Sequence, residues 1–122
     1  MTPVKNYHID TSFPSLPIAV LFLHDRFDAS NCSEVLKVCT EMLTQSSSLV
    51  FDCAELEFLD SSGLGTIVSC LRRAIDAGGD LRLSGLSNNV SMLFELTKAQ
   101  RLFSIYNDST EAVVSFNPLQ QG

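Results

Sequence analysis

The chain reads as an α/β protein built on a mostly parallel, mixed sheet, and three observations predict it. Short apolar runs of strand length alternate with amphipathic stretches of helix length along most of the 122 residues, the pattern of crossover units. The junctions are short and rich in Gly, Asp, Ser and Asn, residues that make turns and helix caps. The first two strand-like runs follow one another with no helix between them, which predicts a single hairpin at the start. A chain of this length with 45% hydrophobic residues buries a substantial core, so one domain is expected.

Residues 1–16 are polar with scattered prolines and hold a short edge strand near Tyr7 to Asp10. After Pro17, the run from Ile18 to His24 is almost continuously apolar, which predicts a strand buried on both faces. A turn is expected at 25–28, and Asp28 or Ser30 is placed to cap a helix over about 30–46. In that helix Cys32, Val35, Leu36, Cys39, Met42 and Leu43 fall three and four apart, on one stripe. Ser46-Ser47-Ser48 ends it, and Leu49 to Cys53 reads as a short buried strand. Residues 55–60 read as a bridge to a second helix over about 62–77. Leu64, Ile67, Val68, Leu71, Ala74 and Ile75 form its inner stripe, with Arg72, Arg73 and Asp76 outward. Gly78-Gly79 terminates it as a left-handed cap.

Leu81 to Ser84 alternates as a third core strand, and Gly85-Leu86-Ser87 turns the chain. A helix over 89–97 directs Val90, Leu93 and Phe94 inward, and 102–106 reads as a final strand. Asp108-Ser109-Thr110-Glu111 resembles a helix start, followed by Ala112, Val113 and Phe116 as an apolar face. The tail from Asn117 is polar.

Charge narrows the function classes. Eight Lys and Arg against fourteen Asp and Glu leave a net charge of −6. No basic run is present, which argues against nucleic acid and against an anionic membrane surface; a basic partner or a divalent metal stays compatible. The longest apolar run, Ile18 to Leu23, is strand-sized and too short to span a bilayer. The N-terminus lacks a basic stretch followed by an apolar one, so no signal peptide is expected and the cytoplasm is the expected location. Cys32, Cys39, Cys53 and Cys70 form no C-x-x-C and sit in apolar stretches, as reduced buried thiols do. Cys32 and Cys39 lie two helical turns apart, too far for a shared metal or bond.

In parallel units the loops after each strand gather on one rim. Three such loops are expected: Asp25 to Ser30, Leu59 to Gly63, and Gly85 to Asn89. They carry Asp28, Asp60, Ser61, Ser62, Asn88 and Asn89. A serine nucleophile needs a base and an orienting group, and only His8 and His24 could serve. Neither G-x-S-x-G nor G-x-x-x-x-G-K-[ST] occurs. Gly63-Leu64-Gly65 is a weak nucleotide signal, better explained by close packing at a helix start. Asp28 and Asp60 could hold a cation or act as a phosphoacceptor pair, but no further carboxylate falls on the rim. The inventory points away from an enzyme, and no cofactor is implied.

The most informative segment is Leu59-Asp60-Ser61-Ser62-Gly63-Leu64-Gly65, where a strand meets a helix. A helix N-terminus tolerates negative charge, and a serine there can cap the helix or carry a phosphate. Spacing alone favours the cap. The segment resembles the STAS domains, in particular the bacterial anti-sigma factor antagonists. The resemblance continues through Gly78-Gly79-Asp80-Leu81-Arg82-Leu83, Gly85-Leu86-Ser87-Asn88-Asn89-Val90 and Leu102-Phe103-Ser104-Ile105-Tyr106, covering about residues 17–116. It implies a four- to five-stranded sheet with helices packed mainly on one face, and a non-enzymatic switch.

On the same resemblance Ser61 is the phosphoacceptor. Its kinase is an anti-sigma factor serine kinase, and a PP2C-type phosphatase reverses the mark. Asp28 lies near the phosphoacceptor and helps recognition. The implied partner-binding surface takes in Asp28, Asp60, Ser62, Gly63, Leu64 and Asn88. The chain departs from the family pattern at His24-Asp25-Arg26-Phe27-Asp28 and at Thr97-Lys98-Ala99-Gln100-Arg101-Leu102, segments that could border a docking surface. Two other functions compete: a STAS scaffold or ligand-sensing domain that is never phosphorylated, and a small enzyme acting on phosphorylated or acidic substrates, which the missing catalytic base, catalytic lysine and metal cluster argue against.

Overall fold

The structure, a computed structural model, describes residues 7–117. The N-terminal six residues and the tail beyond Asn117, both read as polar, lie outside the described residues. Five strands form one sheet in chain order. β1 (Tyr7–Asp10) pairs antiparallel with β2 (Ile18–Phe27), and the expected hairpin is there. β2 then pairs in parallel with β3 (Ser48–Leu59), β3 with β4 (Asp80–Ser84), and β4 with β5 (Ile105–Tyr106). The crossovers carry α1 (Cys32–Leu43), α2 (Ser61–Asp76) and α3 (Asn88–Leu96). A 3-10 turn (Ala99–Arg101) precedes β5, and α4 (Ser109–Val114) follows it.

Side-chain alternation along the strands sorts the core into two layers. Ala19, Leu21, Leu49, Phe51, Leu81 and Leu83 face the layer that takes the inner sides of α1, α2 and α3; Val38 joins the α1 stripe, and Ile75, expected on the α2 stripe, is 54% exposed at the end of that helix. Ile18, Val20 and Val50 face the other way, onto Ala112, Val113 and Phe116. Three helices therefore cover one face and the short α4 the other, which is why the start of β2 is apolar at every position.

β3 is the main correction. The expected strand stops at Cys53, but the observed one continues to Leu59. Its pairing with β2 slips twice, once between the Phe22–Asp52 and His24–Glu55 pairs and once between Asp25–Leu56 and Arg26–Phe58. Each slip gives β3 one extra residue, a bulge. The bulges convert the two-residue alternation into three-residue steps, so Cys53, Leu56 and Leu59 all face the core. A spacing of three does not look like a strand, and 55–60 reads as a connection for that reason. β2 lengthens in step, to Phe27 rather than His24, with Asp25 at φ 59°.

α1 is shorter than 30–46, and neither Asp28 nor Ser30 caps it. Asn31 holds the capping position with its side chain turned back: Nδ2 donates to the Arg26 carbonyl at 2.8 Å, and Oδ1 accepts from the Asp28 N–H at 3.0 Å. At its other end the Ser46 hydroxyl accepts from the Ser48 N–H at 3.0 Å, drawing the chain toward β3. β5 has two residues rather than five, because Leu102 closes the 3-10 turn as its C-cap and Phe103 packs edge-on to Phe94 at 5.8 Å. The Gly78 cap is as expected: φ is +89°, and the N–H groups of Gly78 and Gly79 donate to the Ile75 and Ala74 carbonyls, both at 2.9 Å.

Candidate functional site

The long β2–β3 pair carries the start of α2. The Asp60 N–H donates to the Phe27 carbonyl at 3.3 Å, which ties the first two rim loops together. Gly63 makes this approach possible. A Cβ there would stand 2.5 Å from the Phe27 carbonyl oxygen and 2.6 Å from Leu59 Cδ1. Only glycine lets the first turn of α2 lie against the end of β2.

Asp60 is the N-cap of α2. Its backbone is extended (φ −105°, ψ −177°) and its carboxylate accepts from the Gly63 N–H at 2.9 Å. The capping role open to Ser61 on spacing therefore belongs to the residue before it. Ser61 and Ser62 are the first two residues of α2, and both are exposed. Among the described residues neither hydroxyl is hydrogen-bonded. Ser62 enters the local network through its backbone, whose carbonyl accepts from Thr66 Oγ1 at 3.0 Å, rather than by donating. Gly63 is buried and Leu64 nearly so. Gly63 sets the shape of the turn, and Leu64 packs inward while keeping one edge on the surface.

Asp28 lies at the same end of the sheet, one residue past Phe27. Its carboxylate accepts from the Ser30 N–H at 2.9 Å, from the Ser30 hydroxyl, and from Arg26 Nε at 3.3 Å. Those bonds, the Ser30 pair first, hold its carboxyl below the ordinary aspartate range. The Arg26 guanidinium also covers the half-exposed ring of Phe58 at 4.4 Å. Asp28 thus stands beside an exposed cation and an exposed aromatic, on the same end as Asp60 and Ser61.

Asn88 is different. It opens α3, which follows β4, and β4 ends at Ser84 opposite Asp52. β3 runs on from Asp52 to Leu59, roughly 20 Å further at the usual strand rise. The rim is therefore stepped, and the third loop is set back from the other two. Ser87 caps α3, accepting from the Val90 N–H at 3.3 Å, and Asn88 is exposed beside it.

What reaches toward Ser61 is the far end of α3. Thr97, Lys98 and the 3-10 turn form one wall of an open groove of about 610 Å³, and α2 forms the other, with Ser61 at one end. Lys98 and Arg101 were not singled out from the sequence, and Arg72 only as outward-facing. Their departure from the family pattern at 97–102 was the available signal.

The two histidines stand away from this end. His8 is on β1, stacked on Phe22 at 5.4 Å, and β2 continues three residues beyond His24. Among the described residues no three His, Cys, Asp or Glu converge as a metal site, and no helix is long and apolar enough to cross a membrane. All four thiols are free. Cys53 is fully enclosed, and burial pushes its thiol up to about 12. Cys70 on α2 lies beside Cys39 on α1, and that neighbour together with burial pushes the Cys70 thiol up. Cys32, half-buried, donates to the Asp28 carbonyl at 3.0 Å.

Comparison with known proteins places this geometry. A family model described as STAS domain matches residues 14–112. The anti-sigma-B factor antagonist of Listeria monocytogenes serovar 1/2a is 30% identical over 83 residues, which is 68% of this chain and 71% of that protein. A putative anti-sigma factor antagonist from Thermotoga maritima superposes with a TM-score of 0.77 at 21% identity, covering 89% of this chain and 92% of that one. SpoIIAA, an anti-sigma factor antagonist, superposes in its unphosphorylated form with a TM-score of 0.72 at 17% identity, over 88% of this chain and 92% of its own. In its phosphorylated form, as a Bacillus cell fate determinant, the values are 0.66 and 16%, over 89% and 97%. At such identities the structural likeness is one of fold.

Proposed function

Since the chain belongs to the STAS domain family and to its anti-sigma factor antagonists, we propose that it is a binding module switched by phosphorylation of Ser61. Unmodified, it docks an anti-sigma factor serine kinase. Phosphorylated, it is released, and a PP2C-type phosphatase restores it. The observation that carries this proposal is the state of Ser61. Its hydroxyl is exposed and free, because the capping duty falls on Asp60.

The physics of release is short. Phosphorylation adds roughly −1.5 to −2 charge and three acceptor oxygens. The N-terminus of α2 favours that charge, so the fold survives it. A docked partner must exclude water from the same place, with the carboxylates of Asp60 and Asp28 on the same end of the sheet. Burying an unpaired charge there is costly. A loss of about 3 kcal/mol weakens binding roughly a hundredfold, with no large movement of the domain.

The test is incubation of the full chain with ATP and candidate ATPase-type serine kinases, followed by intact mass and binding measurements. One phosphate is expected, on Ser61. Ser61→Ala should accept none and still bind. Ser61→Asp, with one charge instead of nearly two, should bind at least tenfold more weakly than Ser61→Ala. Equal affinity of these two variants for a kinase that binds the chain would overturn the proposal.

A further inference from the structure

The groove beside Ser61 has a composition unlike the rest of the chain. Arg72, Lys98 and Arg101 line it, and no acidic residue does, although acids outnumber bases fourteen to eight in the sequence. None of these three cations forms an ion pair among the described residues, where the pairs are Arg26–Asp28 and Arg82–Asp80. Leu64 and Val68 supply an apolar strip along α2, and Leu102, 56% exposed, stands open on the opposite wall. Lys98 has a left-handed backbone (φ 62°) immediately past the end of α3, a position that favours glycine. A long cation is held where a residue without a side chain would be easier to place.

The layout selects the kind of ligand. Leu64, Val68 and Arg72 are spaced by four along α2, on one face. From Ser61 to Arg72 the helix advances roughly 16 Å. Donors spread over that length, with apolar surface between them, do not converge on one small anion. They match a longer ligand with an apolar side and separated negative charges.

We propose that this groove docks an acidic, amphipathic segment of a partner protein, whose apolar side lies on Leu64, Val68 and Leu102 and whose carboxylates meet Lys98, Arg101 and Arg72. A segment seated there covers Ser61 at the groove's end. A phosphate on Ser61 then competes for the same cations; this last step rests on the switch described above, whereas the docking itself does not.

The full chain, labelled with 15N, is titrated with a synthetic helical peptide carrying leucines on one face and glutamates on the other, and with a twin carrying lysines for the glutamates. The expected result is amide shifts concentrated at Leu64, Val68, Lys98, Arg101 and Leu102. Affinity should exceed that for the lysine twin by roughly tenfold and weaken with added salt. Lys98→Glu combined with Arg101→Glu should abolish the preference while leaving the thermal melt unchanged. Equal binding of the lysine twin, shifts located elsewhere, or unchanged binding by the well-folded double variant would overturn the proposal. A kinase that binds the chain without ever modifying Ser61, alongside glutamate-peptide binding in the groove, removes the switch and leaves the docking surface. Phosphorylation of Ser61 without peptide binding in the groove does the reverse.

Discussion

Ser61 owes its freedom to its neighbour. Because the Asp60 carboxylate takes the Gly63 N–H at 2.9 Å, the cap and the proposed phosphoacceptor are separate residues, and their variants should separate too. Asp60→Ala should cost about 1 kcal/mol of stability. Ser61→Ala, at an exposed position, should stay within about 0.5 kcal/mol of the parent. Urea denaturation measures both, and a larger cost for Ser61→Ala than for Asp60→Ala would return the cap to the serine. Asp28 gives a pH signature. Its folded pKa lies below the ordinary value, chiefly through the Ser30 bonds. The stability those bonds contribute is present above the ordinary aspartate range and is lost as pH falls through the depressed folded value. Ser30→Ala should raise the Asp28 titration midpoint, followed by carboxyl NMR, and flatten that part of the acid limb.

The first turn of α2 shows how one element is placed by another. Gly63 and Gly65 look equivalent in the sequence, yet their surroundings are opposite. A Cβ at Gly63 meets the Phe27 carbonyl oxygen, and one at Gly65 meets nothing within 4 Å. Gly63→Ala should therefore destabilise by about 2–3 kcal/mol, since backbone must move. Gly65→Ala should stabilise by up to about 1 kcal/mol, the helix-propensity difference. Thermal melts of the two variants check this, and equal effects would contradict the packing described. β3 carries the complementary lesson. Its first half was legible because Leu49, Val50 and Phe51 are buried and contiguous. Its second half was not, because two bulges put Cys53, Leu56 and Leu59 three apart, a period that belongs to neither strand nor connection.

Taken as a molecule, the protein is a sheet with three helices on one side and a six-residue helix on the other. The small side depends on few residues. Phe116 is nearly buried there, with the Arg82 guanidinium 3.9 Å above its ring. Phe116→Ala should cost about 3 kcal/mol and expose Ile18, Val20 and Val50 to solvent; chemical denaturation measures the loss, and a cost under 1 kcal/mol would mean that α4 is dispensable. The sequence by itself determined the α/β class, the hairpin at the start, most of the inner stripes of α1, α2 and α3, and the Gly78 cap, because residue period and cap chemistry act over a few neighbouring positions; the candidacy of Ser61 came from the family resemblance of the segment around it. Tertiary structure alone decided the stepped rim that sets Asn88 back, the contact of Cys39 with Cys70, and the cationic groove joining Ser61 to Lys98 and Arg101. Those depend on how far the paired strands extend and on which distant segments they bring together, and no local pattern in the chain encodes such distances.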